Sequence, residues 1–112
     1  MQARAVARYI RMSPEKVRRT TRLIKGMPLK EAQGMLALMP HRSARAVRRV
    51  LDSAAANAEN NHGMERDELW VAEATVDAGP TMKRYRFASG GRIGQIRKRI
   101  SHLSVVVSDD ER

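Results

Sequence analysis

An α+β domain is what this sequence predicts, and three observations predict it. Amphipathic patterns of helical period follow Ser13, lie between Pro28 and Pro40, and run over residues 42–60. Strand-like stretches occupy residues 3–11, 69–77 and 100–108. Residues 78–99 are polar and punctuated by Gly79, Pro80, Gly90, Gly91 and Gly94. A structureless loop of that length is unusual inside a compact domain, so the segment reads as a long protruding β-hairpin. With 112 residues the chain has room for one modest core, so residues 1–112 form a single domain.

The elements follow in order. Residues 3–11 alternate, with Arg4, Val6, Arg8 and Ile10 on one face and Ala5, Ala7 and Tyr9 on the other. Ser13-Pro14-Glu15 then supplies an N-cap residue, a proline at the first helical position and an acid near the positive end of the helix dipole, and Gly26 supplies the stop. Val17, Thr21 and Ile24 fall on one side of this helix, and Arg18, Arg22 and Lys25 on another. One side packs and the other is free to meet phosphate. Ala32, Met35, Leu36 and Met39 outline a second helix of about three turns, weakened by Gly34. In the third and longest helix, Val47, Leu51, Ala54 and Ala58 form the packing stripe, with Arg45, Arg48, Arg49 and Asp52 away from it. The run Ser53-Ala54-Ala55-Ala56-Asn57-Ala58 admits a close neighbour, and Asn60, Asn61, His62 and Gly63 end the helix. A strand follows, with Trp70, Ala72, Ala74 and Val76 on one face, and the final strand alternates through Leu103, Val105 and Val107.

The hairpin turns near Ser89-Gly90-Gly91. Arms of about ten residues at about 3.3 Å each project roughly 30 Å, more than the body can cover.

Charge points to the partner. The net charge is +10, and it is segregated: residues 1–25 carry eight basic side chains and one acid, and residues 78–108 carry seven basic side chains and none. The intervening stretch is close to neutral. A two-stranded ribbon is marginal in water, and this one repels itself, so its ordered state needs an anionic surface supplied by another molecule. Tyr85 and Phe87 lie among Lys83, Arg84, Arg86 and Arg92. They read either as a cross-strand packing pair or as surfaces on which RNA bases stack.

Other function classes lose support. The absence of cysteine excludes disulfides, thiolate metal sites and cysteine nucleophiles. No stretch approaches the roughly 20 apolar residues of a membrane span, and no apolar signal core opens the chain, so a soluble protein that is not exported is expected. There is no phosphate-binding loop of the nucleotide-hydrolase kind. Gly91-Arg92-Ile93-Gly94 matches the G-x-x-G loop of KH domains, but it lies between strands rather than helices, where turn glycines explain it. His41, His62 and His102 are too scattered for a metal site. Glu65-Arg66-Asp67-Glu68 reads as solvated linker rather than acid–base machinery, and no catalytic constellation emerges. Neither a cofactor nor a homo-oligomer is expected. The competing reading is a free basic nucleic-acid-binding regulator, for which Met27-Pro28 and the Met/Leu face of the second helix give little support.

Four ordered blocks carry a resemblance. These are Arg11-Met12-Ser13-Pro14-Glu15-Lys16-Val17-Arg18, Ser53-Ala54-Ala55-Ala56-Asn57-Ala58-Glu59-Asn60-Asn61, Asp77-Ala78-Gly79-Pro80-Thr81-Met82-Lys83-Arg84 and Lys98-Arg99-Ile100-Ser101-His102-Leu103-Ser104-Val105-Val106-Val107. Together they closely resemble the bacterial large ribosomal subunit protein twenty-two family. The resemblance implies three helices packed on a small three-stranded antiparallel sheet with a long hairpin, and a non-enzymatic structural role in the cytoplasm, in the ribosome. It implies as partners the large-subunit (23S) rRNA, neighbouring ribosomal proteins including large-subunit protein four at the tunnel constriction, and the nascent polypeptide. The hairpin would line the exit tunnel, where changes in the family alter macrolide sensitivity.

Carried over by residue, Ser13, Lys16 and Arg18 match the start of the first helix and its basic face. Lys83 and Arg84 match the pair that opens the family's hairpin, Gly91-Arg92 its Gly-Arg near the tip, and Lys98-Arg99 the pair on the returning arm. Arg11, Arg22, Arg86, Arg97 and His102 complete the expected RNA-binding set. Tyr85, Phe87, Ala88, Ser89, Gly90 and Gly91 form the expected tip. The family's usual Pro-Arg-Ala before the tip is replaced by Phe87-Ala88-Ser89, and Arg19 and Thr20 stand where apolar residues are common.

Overall fold

In a computed structural model of the protein, the residues described are 1–87, 90 and 93–110, with 82–87 and 93–97 described through their backbone. Strand β1 (Gln2–Ile10) leads to helices α1 (Pro14–Ile24), α2 (Leu29–Leu38) and α3 (Arg42–His62). After a short 3₁₀ turn (Arg66–Glu68) come β2 (Trp70–Ala78), β3 (Met82–Phe87), β4 (Ile93–Lys98) and β5 (Ser101–Ser108). The sheet of the body has the order β1-β5-β2, both pairings antiparallel, and β3-β4 form a separate ribbon. This is the expected α+β fold of three helices, a three-stranded antiparallel sheet and a hairpin.

The helices form where their signals stood. Ser13 occupies the N-cap of α1 with Pro14 at the first position, although its hydroxyl makes no capping bond, and the first bond is Val17 N–H to the Ser13 carbonyl. Gly63 ends α3 in the left-handed region at φ 63°, which only glycine adopts without strain. Val17 and Ile24 of α1, Leu29, Ala32 and Leu36 of α2, and Val47, Leu51, Ala54, Ala55 and Ala58 of α3 are all buried. They pack on Ala3, Ala5, Val71, Val76, Leu103, Val105 and Val107, which lie on one face of the sheet. The small side chains of α3 let that helix lie close across β1 and β5.

Central strand β5 is buried along nearly its whole length, so its serines need internal partners. Ser101 Oγ donates to the Met12 carbonyl at 2.6 Å, Ser108 Oγ donates to the Met1 carbonyl at 3.3 Å, and Ser104 Oγ accepts from Arg4 Nε at 2.8 Å. No buried side-chain nitrogen or oxygen among the described residues lacks a partner.

Each edge strand carries one extra residue, and each insertion corrects a face read from alternation. In β1, Ala7 pairs with Leu103 and Ile10 with Ser101, so Arg8 and Tyr9 together oppose His102. Beyond this bulge the phase inverts, as one added residue must make it. Ile10 turns to pack against the core, whereas Tyr9 stands 63% exposed. In β2, Val71 pairs with Val107 and Glu73 with Val106, leaving Ala72 as the extra residue. Val71 thereby joins Ala74 and Val76 against the core, in place of the expected Trp70 and Ala72.

The ribbon continues β2 and β5 past a third irregularity. Ala78 still pairs with Ser101, and Gly79 N–H donates to the Ile100 carbonyl at 2.8 Å. The next pair is Met82 with Lys98, so the outgoing arm contains one residue more than the returning one. Gly79 fits here because a Cβ would lie 3.1 Å from the His102 ring and 3.2 Å from the Ile100 side chain. Six pairs run from Met82–Lys98 to Phe87–Ile93, a ladder symmetric about Gly90. The molecule measures 61 × 25 × 19 Å, and its radius of gyration of 16.9 Å exceeds the roughly 13 Å of a compact chain of this length.

Candidate nucleic-acid interface

The two basic blocks, remote in sequence, converge at the root of the hairpin. An open cleft of about 920 Å³ is lined there by Arg11, Met12, Ser13, Lys16, Arg19, Thr20, His41, Arg42, Ser43, Lys98 and Arg99. The lining contains six lysines and arginines and no acid. Its geometry follows from the fold. The β1–α1 connection brings Arg11, α1 presents Lys16 and Arg19 on successive turns, α3 starts with Arg42, and the returning arm delivers Lys98 and Arg99. The N-termini of both α1 and α3 open at this cleft, so their unpaired backbone N–H groups add positive potential to that of the side chains. Beneath them, the buried Thr20 and Ser43 hydroxyls bond each other at 2.7 Å and tie α1 to α3. Glu15 contacts Arg19 at 3.7 Å, one helical turn away, in an exposed pair that leaves the lining cationic.

Five of the residues expected from sequence therefore share one site: Arg11, Ser13, Lys16, Lys98 and Arg99. Arg18 is directed elsewhere, its guanidinium donating to the Val76 carbonyl at 3.0 and 3.3 Å. Arg22 is exposed in the last turn of α1, outside the cleft lining. His102 belongs to the opposite side of the sheet, where Nδ1 accepts the Tyr9 N–H at 3.1 Å. Lys83, Arg84, Tyr85, Arg86 and Phe87 lie on β3 and Arg97 on β4. Tyr85 and Phe87 share an arm and have Gln95 and Ile93 as register partners, so they do not oppose one another across the ribbon. Lys83 and Arg97 are register partners in the ladder. Gly90 sits at the centre of the turn with φ 76°, while Ala88, Ser89, Gly91 and Arg92 lie outside the described residues.

Sequence reasoning missed Arg19, His41 and Arg42. The available signal was Arg42 at the head of the longest helix, which an anion-binding reading of helix N-termini would have singled out. The acidic loop is spent on surface pairs: Asp67 lies 2.8 Å from Lys30 Nζ, and Arg66 reaches Glu59 at 3.1 Å. The hydrogen bond and charge of Lys30 hold the Asp67 carboxyl below its ordinary range. No group of three or more potential metal ligands occurs among the described residues, and no described helix is long and apolar enough to cross a membrane.

Comparison with known proteins supplies the family. A model of the family described as ribosomal protein L22p/L17e matches residues 5–108. The large ribosomal subunit protein uL22 of Halothermothrix orenii is 51% identical over 109 residues, 97% of this chain and 96% of that protein. Its counterpart in Thermoanaerobacter pseudethanolicus is 52% identical over 111 residues, 99% of this chain and all of that protein. That of Pelotomaculum thermopropionicum is 54% identical over 109 residues, 97% and 96% of the two chains. Matched along almost its entire length by the family and by its members, the chain belongs to the ribosomal protein L22p/L17e family.

Proposed function

We infer that this chain is a structural constituent of the large ribosomal subunit that binds the large-subunit rRNA, and not an enzyme. The observation that carries the reading is the meeting of both basic blocks in one acid-free cleft, at the root of a ribbon the body does not cover. Phosphates enter that cleft and are held by Arg11, Lys16, Arg42, Lys98 and Arg99, with the two helix N-termini behind them. Such contacts position a protein on RNA without reading sequence. The ribbon then lies within the RNA, whose phosphates neutralise Lys83 and Arg97. Tyr85, Phe87 and the tip residues Ala88, Ser89, Gly90 and Gly91 line the polypeptide exit tunnel, beside large-subunit protein four and the nascent chain.

The test is sedimentation of the tagged protein from a lysate in high salt. Stoichiometric travel with the large subunit supports the assignment. Recovery in the light fractions would instead bring forward the free nucleic-acid-binding regulator. A version lacking residues 81–98 separates body from hairpin, since full affinity and an unchanged salt slope in that variant would remove the ribbon from the interface.

A further inference from the structure

The helices cover one face of the sheet, and the other face carries a second, smaller cleft. It measures about 250 Å³ and is lined by Arg4, Val6, Arg8, Tyr9, Asp77, His102, Leu103 and Ser104. Tyr9 is the unusual member. It has φ 58° and is the one described residue other than glycine in the left-handed region. Bulges of this kind are ordinarily built with glycine, because a side chain there strains the backbone. Little burial offsets the strain, since the residue remains 63% exposed. What the bulge achieves is to re-aim the ring onto the open face, where it meets His102 edge to face at 4.9 Å. His102 is itself fixed, accepting the Tyr9 N–H and packing where Gly79 leaves no room for a side chain. The lining also holds Arg4 and Arg8, the first anchored by the 2.8 Å bond from its Nε to Ser104. Asp77 is the one acid of the lining.

We propose that this cleft holds a single unstacked RNA nucleotide, its base against the Tyr9 ring and its flanking phosphates at Arg4 and Arg8. The inference rests on the rRNA-binding reading above and adds a second contact on the opposite side of the body. Three features favour this occupant over a protein surface. The exposed ring is flat and meets His102 edge to face, the lining carries two arginines against one acid, and Arg4 is anchored through its bond to Ser104. Aromatic stacking with cationic neighbours is how single-stranded bases are held without reading their sequence.

Affinity for transcribed large-subunit rRNA, measured against salt for the full chain and its Tyr9→Phe, Tyr9→Leu and Tyr9→Gly variants, tests the proposal. Tyr9→Phe keeps the ring and should bind like the parent. Tyr9→Leu and Tyr9→Gly should each bind about tenfold more weakly, with the salt slope unchanged because no charge is lost. Tyr9→Gly also relieves the backbone, so its melting temperature should not fall as its affinity does. Parental affinity in both Tyr9→Leu and Tyr9→Gly would overturn the proposal. A lowered melting temperature with unchanged affinity would overturn it too, assigning the ring to the packing of His102. A Lys98→Ala, Arg99→Ala double variant separates this inference from the reading beneath it. If that variant alone loses affinity, only the Tyr9 site fails, and if the parent does not bind, both do.

Discussion

The Arg18 guanidinium donates from Nη2 and Nε to the carbonyl of Val76, at 3.0 and 3.3 Å, and so closes with a side chain the free edge of β2. Further along that edge the backbone of the α1–α2 connection does the same work, with Gly26 N–H donating to the Val71 carbonyl and Val71 N–H to that of Met27. A strand edge left open invites pairing with another chain, and here both stretches are occupied. Replacing Arg18 by alanine removes a charge-assisted bond and should cost about 1.5 kcal/mol, seen as a lower denaturant midpoint. A weaker rRNA affinity with unaltered stability would instead make Arg18 purely a phosphate ligand.

The buried Thr20–Ser43 hydroxyl pair yields a sharper energetic test. Thr20→Val alone strands the Ser43 hydroxyl beneath the cleft and should cost about 1–3 kcal/mol. The double variant Thr20→Val, Ser43→Ala leaves nothing unsatisfied and should recover most of that loss. Additive losses in the double-mutant cycle would show that the two hydroxyls do not act as a pair.

Asp67 supplies the pH dependence. Its carboxyl is held below its ordinary value of 3.8 by the hydrogen bond from Lys30, then by the charge of that ammonium. Because the folded value is depressed, the small stabilisation is fully present above the ordinary value and disappears as pH falls through the lowered one. Lys30→Ala should return the Asp67 titration toward 3.8 in an NMR experiment. An unmoved titration would show that the pair does not persist in solution.

For the cleft, Arg42→Ala should weaken rRNA binding irrespective of sequence and lower the salt slope by about 0.7–0.9. Arg45→Ala, one turn along α3 and outside the cleft lining, should change both less. Equal effects at the two positions would point to the net charge of α3 rather than to the cleft.

Helix signals were legible because they are local: Ser13 and Pro14 open α1, Gly63 closes α3, and Val47, Leu51, Ala54 and Ala58 all went to the core. The ribbon was legible for the opposite reason, since residues 78–99 had too little apolar surface to be buried by anything the chain owns. Failures arose where a partner strand decides the phase. Alternation through Trp70, Ala72 and Ala74 assumes one residue per step, and only pairing with β5 reveals Ala72 as the surplus. Tyr9 was misplaced in the same way. The cleft was half legible: Arg11, Lys16, Lys98 and Arg99 belong to the basic blocks, but Arg42 enters from a nearly neutral stretch and is recruited only when α3 packs beside α1.

The position of β5 between β1 and β2 sets the order of events during synthesis. β1 and β2 have no hydrogen bonds to each other, so each waits for Ser101–Ser108 before it can join a sheet. The β3–β4 ladder, by contrast, pairs near neighbours in sequence, but a basic two-stranded ribbon gives them no support until an anionic surface meets it. A nascent chain that has not yet released β5 thus lacks the strand that joins β1 to β2, and with it the core side chains of Leu103, Val105 and Val107. The three-stranded sheet closes only when that last segment is added.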